Sequence, residues 1–398
     1  MKILFLDTIY PSILEDKGFF DLPEKGDSYK DLARTLDDQK FSSGSMYLPG
    51  LVALSNQIEV VYVNARKLQL LWDGPLDSGR CSPKYSWKYW QLISRIPLLG
   101  NLLHDRSKKA RIVMNQIKIL APSVVYCLNV NFLSERLIKQ IKEMGVAVVG
   151  QIASPLPPLS FYKSYDHIFS AHPGQVEHFR KAGVSSSWLP LAFDNAQRKS
   201  FDQTGWPERT RDVTFVGTFG RHQRNTGPLL KAISKEIPTL QIFTLSKLRQ
   251  LKRFGLLNFF KGRAWGPEMY KILAESKIVI NRHGPVADGY SVNFRMFEAT
   301  GMGALLVTEQ GKNTSDLFEP GKEVLTYTSV SDAVQVLKSA LADFDTYGLV
   351  AAAGQERTLT KHTYEQRATE IDQVLRKLVD TSAHPSNSGQ DGQSGASR

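Results

Sequence analysis

The chain has 398 residues, of which 42% are hydrophobic and 10% aromatic, with 50 Lys and Arg against 39 Asp and Glu. This composition excludes a disordered or fibrous protein and gives enough length for two ordinary domains. The net charge of +11 favours anionic partners such as nucleotide phosphates, nucleic acid or anionic lipid. The two cysteines, Cys81 and Cys127, do not suggest a disulfide framework and favour a reducing compartment.

The first half of the chain alternates predicted strands and helices. The first apolar run, Ile3 to Leu6, is predicted to be a β-strand rather than a signal peptide, and no apolar run approaches the ~20 residues that cross a bilayer. Further strands are predicted at 58–63, 124–128, 146–149, 167–170 and 188–191, and helices at 46–56, 107–120, 134–144 and 173–181. This alternation is typical of parallel βαβ units.

A basic and aromatic segment interrupts the alternation between residues 84 and 118. It contains eight Lys and Arg residues against a single acidic one, Asp105, and its apolar residues include Trp87 and Trp90. Such interleaving suits the interface of an anionic membrane, and a core segment with basic flanks is an equal alternative. Nucleic acid is not predicted as a partner, because the chain has no zinc-finger spacing and no RNP-like segment.

The alternation restarts after a polar segment. Residues 196–211 carry Gly205 and Pro207 and are predicted to link two domains. The next strands are predicted at 213–216, 240–244, 277–280, 304–307 and 324–327. We therefore predict an α/β protein with two Rossmann-like domains facing an interdomain cleft, at residues 1–195 and 212–380. Residues 381–398 lack large apolar side chains and are predicted to be disordered.

The first strand of the second half is followed by GTFGRHQRN, residues 217–225. Gly217 and Gly220 let backbone N–H groups approach a phosphate, and a helix N-terminus adds partial positive charge. Arg221 and Arg224 supply forked donors. The segment lacks the third Gly of a dinucleotide loop and the terminal Lys-Ser/Thr of a P-loop, so a plain turn is an equal alternative when the motif is taken alone. Its position after the strand favours a phosphate site.

A second segment, SVNFRMFEATGMGALLVTE, covers residues 291–309. Arg295 and Glu298 are three residues apart, so on a helix they project from one side, either as a surface salt bridge or as partners for phosphate and ribose. Asn293 precedes this helix, and His283 lies after an earlier strand in a loop expected to line the cleft. Both are candidates for donor contact, although a solvated loop position is the commoner role for such a histidine.

Five blocks of the second half, in family order, resemble the CgeB-type glycosyltransferases of the spore-maturation group, which have the GT-B fold. The blocks are 215–225, 269–284, 291–309, 318–327 and 351–367. The resemblance implies a C-terminal domain that holds a nucleotide-sugar donor, with Glu298 on the ribose. Arg295, Arg221 and Arg224 would then face the diphosphate. Retaining enzymes of this class often carry a second Glu eight residues earlier, where this chain has Tyr290, so inversion and retention both stay open.

The first half matches this family only in architecture and is expected to bind the acceptor. Sugar transfer needs a base for the acceptor hydroxyl, or assistance from the donor phosphate. Asp7 and His172 lie at predicted strand ends and are the candidates for catalysis, and either one could instead cap a helix or a core edge. No metal or other cofactor is predicted, because the Asp343-Phe344-Asp345 motif lies at a helix end, far from any Gly-rich loop.

The leading hypothesis is a glycosyltransferase that moves a sugar from a nucleotide-sugar to a saccharide or lipid-linked acceptor, in surface polysaccharide, glycolipid or glycoconjugate synthesis. The protein is expected in the cytoplasm, either free or peripheral on the cytoplasmic membrane face through segment 84–118. Two alternatives use the same architecture. One is a sugar-nucleotide epimerase, and the other is a nucleotide-sugar-binding protein without turnover, which Tyr290 motivates.

Overall fold

The computed structural model of the chain describes residues 1–9, 14–15, 17–37, 43–72, 108–152, 155–218 and 225–383. Three predicted site residues, Gly220, Arg221 and Arg224, lie outside these ranges. So do residues 84–107 of the basic segment and residues 384–398 of the predicted disordered tail. The fold and the candidate site are therefore built from the described parts of the two halves.

The first half forms a six-stranded parallel sheet. Its strands are β1 Lys2–Asp7, β2 Gln57–Tyr62, β3 Val124–Cys127, β4 Ala147–Ile152, β5 His167–Ser170 and β6 Ser186–Trp188. Its helices are α1 Tyr29–Asp37, α2 Ser43–Ala53, α3 Arg66–Trp72, α4 Lys108–Leu120, α5 Glu135–Glu143, α6 Pro173–Lys181 and α7 Asn195–Thr204. The strand order is β2-β1-β3-β4-β5-β6, so the direction of winding reverses between β1 and β3.

The second half repeats this plan. Its strands are β7 Arg211–Val216, β8 Leu240–Phe243, β9 Phe260–Gly262, β10 Ser276–Asn281, β11 Leu305–Glu309 and β12 Leu325–Tyr327. Its helices are α8 Thr226–Glu236, α9 Leu248–Phe254, α10 Gly266–Ala274, α11 Phe294–Gly301, α12 Thr314–Leu317, α13 Val330–Ala342, α14 Phe344–Lys361 and α15 Tyr364–Ala383. The order β12-β11-β10-β7-β8-β9 places the reversal between β7 and β10.

Helices cover both faces of the first sheet, which explains why its central strands are apolar throughout. Successive side chains of a strand point to opposite faces. Leu4 and Leu6 of β1 belong to one core cluster with Ile138 of α5, whereas Phe5 belongs to a second cluster with Tyr364 of α15. A parallel sheet needs this double cover. The sheet is thus the middle layer of a three-layer α/β arrangement.

Local signals in the sequence explain several helix ends. The Ser134 hydroxyl accepts a hydrogen bond from the Leu137 backbone N–H at 3.2 Å, so Ser134 is the N-cap of α5. Asp343 ends α13 and caps α14 by accepting from the Thr346 N–H at 3.3 Å. The Asp343 carboxylate therefore has the helix-end role that the sequence indicated.

The last helix, α15, leaves the second half and packs on the first sheet. Gly50 of α2 makes this approach close, since a Cβ atom there would lie 2.6 Å from the Ala368 Cβ. The Asn56 amide also donates to the Asp372 carboxylate at 2.7 Å. The two halves are thus joined both by the chain after α7 and by this returning helix. The predicted bounds of the second domain, 212–380, include α15 except for its last three residues, and these three are helical although residues 381–398 were predicted to be disordered.

The sequence predicted most strands within two residues of their observed positions. It placed the strand at 188–191 where β6 covers Ser186–Trp188, and it did not predict the short strand β9. Most of the polar segment predicted as a linker is helical, as α7. Among the described helices, none is long and apolar enough to cross a bilayer.

Candidate functional site

The carboxyl ends of β10 and β11 border a cavity of about 330 Å³. Its lining residues are Asn225, Arg282, His283, Gly284, Pro285, Asp288, Gly289, Tyr290, Glu309, Gln310 and Gly311. Ligands of open parallel sheets bind outside the carboxyl ends of the strands, where the winding reverses. Because β10 is one of the two strands at that reversal, this cavity is the candidate binding site.

One wall of the cavity is an ion pair between neighbouring strands. Arg282 directly follows β10 and Glu309 ends β11, and Arg282 Nη2 lies 3.1 Å from Glu309 Oε1. The other carboxylate oxygen accepts the His283 backbone N–H at 3.3 Å. Glu309 therefore fixes the turn after β10 and holds a guanidinium beside the cavity. Such a planar cation is the usual protein donor for phosphate oxygens.

His283 is a buried side chain rather than a solvated one. Its Nε2 lies 3.1 Å from the backbone oxygen of Glu309, which assigns the proton to Nε2. Burial lowers the pKa of His283 to about 4, because desolvation outweighs the attraction of Glu309. The imidazole is therefore neutral near pH 7. Its Nδ1 is buried and has no hydrogen-bond partner among the described residues.

The loop from 284 to 291 covers the cavity in a conformation that depends on small residues. Asp288 has a φ of 45°, a left-handed conformation that is uncommon for a non-glycine residue, and Gly289 follows with a φ of 77°. A Cβ atom on Gly311 would lie 2.4 Å from the Ser291 hydroxyl oxygen. These close approaches hold Tyr290 at the cavity.

Tyr290 also connects the two halves of the molecule. Its ring centroid lies 4.6 Å from that of His172, which precedes α6 in the first half. The Lys312 ammonium lies 4.9 Å from the same tyrosine ring. Burial lowers the pKa of His172, and the Ala287 carbonyl and Asp288 oppose this only in part. A neutral imidazole, whose Nδ1 has no partner among the described residues, thus stands where the halves meet.

Helix α11 carries the predicted Arg and Glu next to the cavity loop. Arg295 Nη1 lies 2.7 Å from Glu298 Oε2, and both side chains are less than 15% exposed, so the pair is not a surface salt bridge. Arg295 Nε donates to the Val216 carbonyl at 3.0 Å, at the end of β7. The pair is therefore held between α11 and β7. Burial raises the pKa of Tyr270, and the negative charge of Glu298 raises it further.

Asn293 acts as the N-cap of α11. Its side-chain oxygen accepts the Arg295 N–H at 2.7 Å, and its amide donates to the Arg282 carbonyl at 3.1 Å. Both polar ends of the side chain are thus used within the protein. Asn293 ties the start of α11 to the Arg282 turn, an arrangement that the capping preference of asparagine could have indicated.

The start of the predicted phosphate loop is anchored to the sheet. The Gly217 N–H donates to the Phe243 carbonyl at 3.1 Å, which extends the pairing of β7 with β8. Asn225, at the N-terminus of α8, lines the cavity. The loop between these two residues is the segment that contains Gly220, Arg221 and Arg224. Its described ends thus lead from β7 to the cavity and to a helix N-terminus, which favours anions.

Asp7 and His172 both lie at the carboxyl edge of the first sheet, but they are well separated. Asp7 ends β1, is buried, and accepts the Thr8 N–H at 2.6 Å. Two strands separate β1 from β5, which precedes His172, so the two backbones are roughly 14 Å apart. The structure therefore does not bring the two candidates together. His172 faces the second half, whereas Asp7 lies at the winding reversal of its own sheet.

A larger cavity, of about 580 Å³, lies elsewhere in the first half. It is bordered by the amino ends of β3 and β4, by the end of α4 and by Val379 of α15. Its walls are mostly apolar, and it is at the edge of the sheet opposite to Asp7. We do not assign the reaction to it, because parallel sheets bind ligands at the carboxyl edge.

Sequence reasoning missed two of the residues that shape the site. Glu309 was noted only as the last residue of segment 291–309, beyond the strand predicted at 304–307, although a carboxylate at the carboxyl end of a parallel strand is itself a signal. Gly311 carries no signal in the sequence, because its close approach to Ser291 depends on how two loops pack. Arg282 directly precedes His283, and its pairing with Glu309 could not be predicted.

Comparison with known proteins supports the architecture. A sequence model described as glycosyl transferase-like matches residues 228–373. A search of curated protein sequences found no match. Sucrose-phosphate synthase from Thermosynechococcus elongatus aligns with a TM-score of 0.59 and 12% identity, over 96% of this chain and 100% of that one.

Two further solved structures have the same fold. Anabaena Alr3699/HepE, in complex with UDP and glucose, aligns with a TM-score of 0.57 and 14% identity, over 95% of this chain and 100% of that one. AviGT4, a glycosyltransferase involved in avilamycin A biosynthesis, aligns with a TM-score of 0.56 and 13% identity, over 96% and 98%. The chain thus has the two-domain GT-B fold, its second half contains a glycosyl transferase-like domain, and the protein is a glycosyltransferase.

Proposed function

We propose that this glycosyltransferase takes its sugar from a nucleotide-sugar held at the 330 Å³ cavity and transfers it to a saccharide or lipid-linked acceptor. The observation that carries the proposal is the joint position of the Arg282 guanidinium, the N-terminus of α8 and Tyr290 around one cavity at the winding reversal. A diphosphate and a sugar ring together need such a combination of a cation, free backbone N–H groups and a flat polar side chain.

Each part of the donor has a proposed partner. The diphosphate lies between Arg282 and the loop from Gly217 to Asn225, where Gly220, Arg221 and Arg224 add donors. Glu298 binds the ribose hydroxyls, and Arg295 holds its carboxylate in place at 2.7 Å. Tyr290 and His283, which line the cavity, contact the sugar.

The acceptor lies against the first half in this proposal. Asp7 is the candidate base, because it ends β1 at the reversal of its sheet. His172 is the second candidate, since its neutral ring packs against Tyr290 of the cavity and its Nδ1 has no hydrogen-bond partner among the described residues. Their separation implies that only one of them takes the proton, and that the other orients a substrate.

We further propose that departure of the diphosphate is assisted by arginine and helix N-terminal groups rather than by a metal ion. Among the described residues, no three His, Cys, Asp or Glu side chains cluster as a metal site would require. Cations and backbone donors aimed at developing negative charge can fill this role. A chelator is therefore expected to leave turnover unchanged. Loss of turnover on addition of the chelator would contradict this part of the proposal.

The finer biological setting is also part of the proposal. The five sequence blocks suggest the CgeB-type subgroup, and synthesis of surface polysaccharide, glycolipid or glycoconjugate fits a saccharide or lipid-linked acceptor. We place the protein in the cytoplasm and propose that segment 84–118 contacts the cytoplasmic face of the membrane. The basic and aromatic composition of that segment supports this contact.

Isothermal titration with UDP, GDP and dTDP tests the donor site. UDP is the first choice, because structures of the Anabaena protein contain UDP or UDP-glucose. We expect micromolar to millimolar binding of one nucleotide and a clear loss of affinity in Arg282→Gln. Lys277→Gln is the matched control, since Lys277 forms an equivalent ion pair with Asp212 at the opposite, amino edge of the sheet. Failure of all three nucleotides to bind would overturn the proposal.

Product analysis separates the transferase from the two alternatives. With donor alone, an epimerase produces the epimeric nucleotide-sugar, whereas a transferase does not. A binding protein without turnover, which Tyr290 in place of a carboxylate motivates, binds the nucleotide but neither hydrolyses nor transfers across an acceptor panel. Transfer to any acceptor in the panel decides for the proposed function.

A further inference from the structure

A continuous part of the second half is basic and has no acidic residue. The sequence contains no Asp or Glu between Glu236 and Glu268. The same stretch contains six cationic residues, Lys247, Arg249, Lys252, Arg253, Lys261 and Arg263, all of them exposed. None of the six forms an ion pair with an acidic side chain in the part of the chain that the structure describes. We name residues 245–265 the α9–β9 surface.

Large apolar side chains lie among these cations. Leu245, Leu248, Leu257 and Trp265 are between 42% and 54% exposed. They differ from Leu251 and Leu256, which are fully buried and hold the segment to the domain core. Exposed apolar groups that are interleaved with cations, rather than scattered singly, mark an interaction surface.

Both kinds of side chain are exposed at the end of the second sheet. Leu251 of α9 is buried in the domain core, whereas Leu248, Arg249, Lys252 and Arg253 of the same helix are exposed. Strand β9 is at the end of the sheet order and carries the exposed Lys261. The surface therefore covers one edge of the second sheet.

Protection of a sheet edge explains only part of this composition. A lysine on an edge strand prevents pairing with other chains, which accounts for Lys261. It does not account for three exposed leucines and a tryptophan beside five further cations. Nucleic acid would use the cations, but its bases stack on aromatic rings rather than on leucines, and Trp265 is the one exposed aromatic ring described in this surface.

We propose that the α9–β9 surface docks on an anionic lipid bilayer, with the cations at the headgroups and Leu245, Leu248, Leu257 and Trp265 in the interface. Basic residues next to apolar ones bind such membranes by both electrostatic attraction and apolar burial. Leu245 follows the carboxyl end of β8 and Trp265 follows that of β9, the same edge as the 330 Å³ cavity. Docking there brings the cleft near the bilayer, where a lipid-linked acceptor would reside; this consequence alone rests on the proposed function.

Sedimentation of the full chain with phosphatidylcholine vesicles, with and without phosphatidylglycerol, tests the proposal. The variant Arg249→Glu/Lys252→Glu/Arg253→Glu is expected to lose about a hundredfold in partitioning onto the anionic vesicles, at about fivefold for each cation removed. A control variant, Lys199→Glu/Lys361→Glu/Lys377→Glu, has the same net charge but changes exposed lysines elsewhere. It is expected to partition much more strongly than the first variant.

A second variant, Leu248→Ser/Leu257→Ser, separates lipid from other polyanions. It is expected to bind anionic vesicles several-fold less tightly while its binding to heparin is unchanged. UDP titration on the same proteins shows that each variant is folded and tests the donor site separately. Three results would overturn the proposal. If Arg249→Glu/Lys252→Glu/Arg253→Glu binds vesicles as strongly as the wild type, segment 84–118 remains as the contact. Equal losses of vesicle binding in both triple variants would show an effect of net charge alone, and unchanged vesicle binding in the leucine variant would indicate a polyanion site.

Discussion

The two sheets have the same plan but carry different chemistry at their carboxyl edges. In the second sheet this edge has two ion pairs, Arg282 with Glu309 and Arg295 with Glu298. The first sheet has the single carboxylate of Asp7 at this edge, beside a buried uncharged chain in which the Tyr126 hydroxyl donates to Gln151 and Gln151 donates to the Tyr47 hydroxyl, both at 3.0 Å. The second edge thus carries paired charges, whereas the first carries one carboxylate next to uncharged groups.

Charge alone does not distinguish a binding edge, as the amino edge of the second sheet shows. Arg211 pairs with Glu275 there at 2.9 Å, and Lys277 pairs with Asp212 at 2.8 Å. These pairs connect neighbouring strands as Arg282 and Glu309 do, and they even join β7 to β10 at the winding reversal, but the 330 Å³ cavity lies at the opposite edge. Position at the carboxyl edge of the sheet, and not the ion pair itself, therefore distinguishes the site.

The largest expected effect tests the role of the first edge. Asp7→Asn keeps an oxygen for the Thr8 N–H but removes the base, so we expect kcat to fall by about 10²- to 10⁴-fold with UDP affinity unchanged. Steady-state kinetics and titration of the same protein measure both quantities. The control is Asp166→Asn, because the Asp166 carboxylate binds the Val148 N–H and Lys142 before β5, at the opposite edge. A kcat near wild type in Asp7→Asn would leave His172 as the candidate base.

A smaller effect is expected from the second edge. Glu298→Ala removes the proposed ribose contact, and UDP affinity should fall about tenfold to a hundredfold, the value of a charge-assisted hydrogen bond. Glu275→Ala breaks the matched ion pair with Arg211 at the amino edge and should leave affinity unchanged. Titration calorimetry compares the two, with the melting temperature as a measure of folding. Equal affinities in both variants would remove Glu298 from the donor site.

The smallest effect concerns pH and a histidine in each half. Burial lowers the pKa of both His167, in the first sheet, and His283, at the cavity, to about 4. Above pH 6.5 both imidazoles are neutral in the folded and unfolded chain. As the pH falls below 6.5 the unfolded chain takes up protons first, so the free energy of unfolding decreases until about pH 4. Each histidine should contribute about 2 kcal/mol of this loss between pH 7 and pH 5.

Thermal unfolding of wild type, His167→Gln and His283→Gln at both pH values measures this contribution. On going from pH 7 to pH 5, the melting temperature of each variant should fall by about 4 °C less than that of the wild type. If the two halves protect their histidines equally, the two variants should behave alike. If the melting temperature of His283→Gln falls between pH 7 and pH 5 by as much as that of the wild type, this imidazole is not buried and neutral in the folded protein. That result would contradict its proposed contact with the sugar.

Much of the fold could be predicted because each element has a local signal. The apolar runs gave the strands of both sheets, and Ser134, Pro173 and Asp343 indicated helix ends. Strand β9 was missed, since its sequence Phe-Lys-Gly is too short to show a period. Helix α7 was missed because its polar composition resembles that of a loop, although Asp194 caps it by accepting the Ala196 N–H at 3.0 Å.

The candidate site was predictable only in part, for a physical reason. Arg295 and Glu298 share one helix, so their spacing indicated that they could pair, but not that Arg295 would also reach the Val216 carbonyl. Arg282 and Glu309 meet because β10 and β11 are neighbours in parallel register, and this order is not written in either segment. The exposed leucines of the α9–β9 surface were likewise not distinguished in the sequence from the buried ones beside them.

The amino-acid sequence was enough to establish the class of the protein: two alternating α/β halves, a Gly- and Arg-containing segment after the first strand of the second half, and a helix that carries an Arg and a Glu. These features depend on residues close together in the chain. Three long-range contacts are visible only in the folded molecule: α15 packs on the first sheet, Tyr290 contacts His172, and Glu309 pairs with Arg282. These contacts join residues far apart in the chain, and they form because the faces of whole sheets and helices must be buried together.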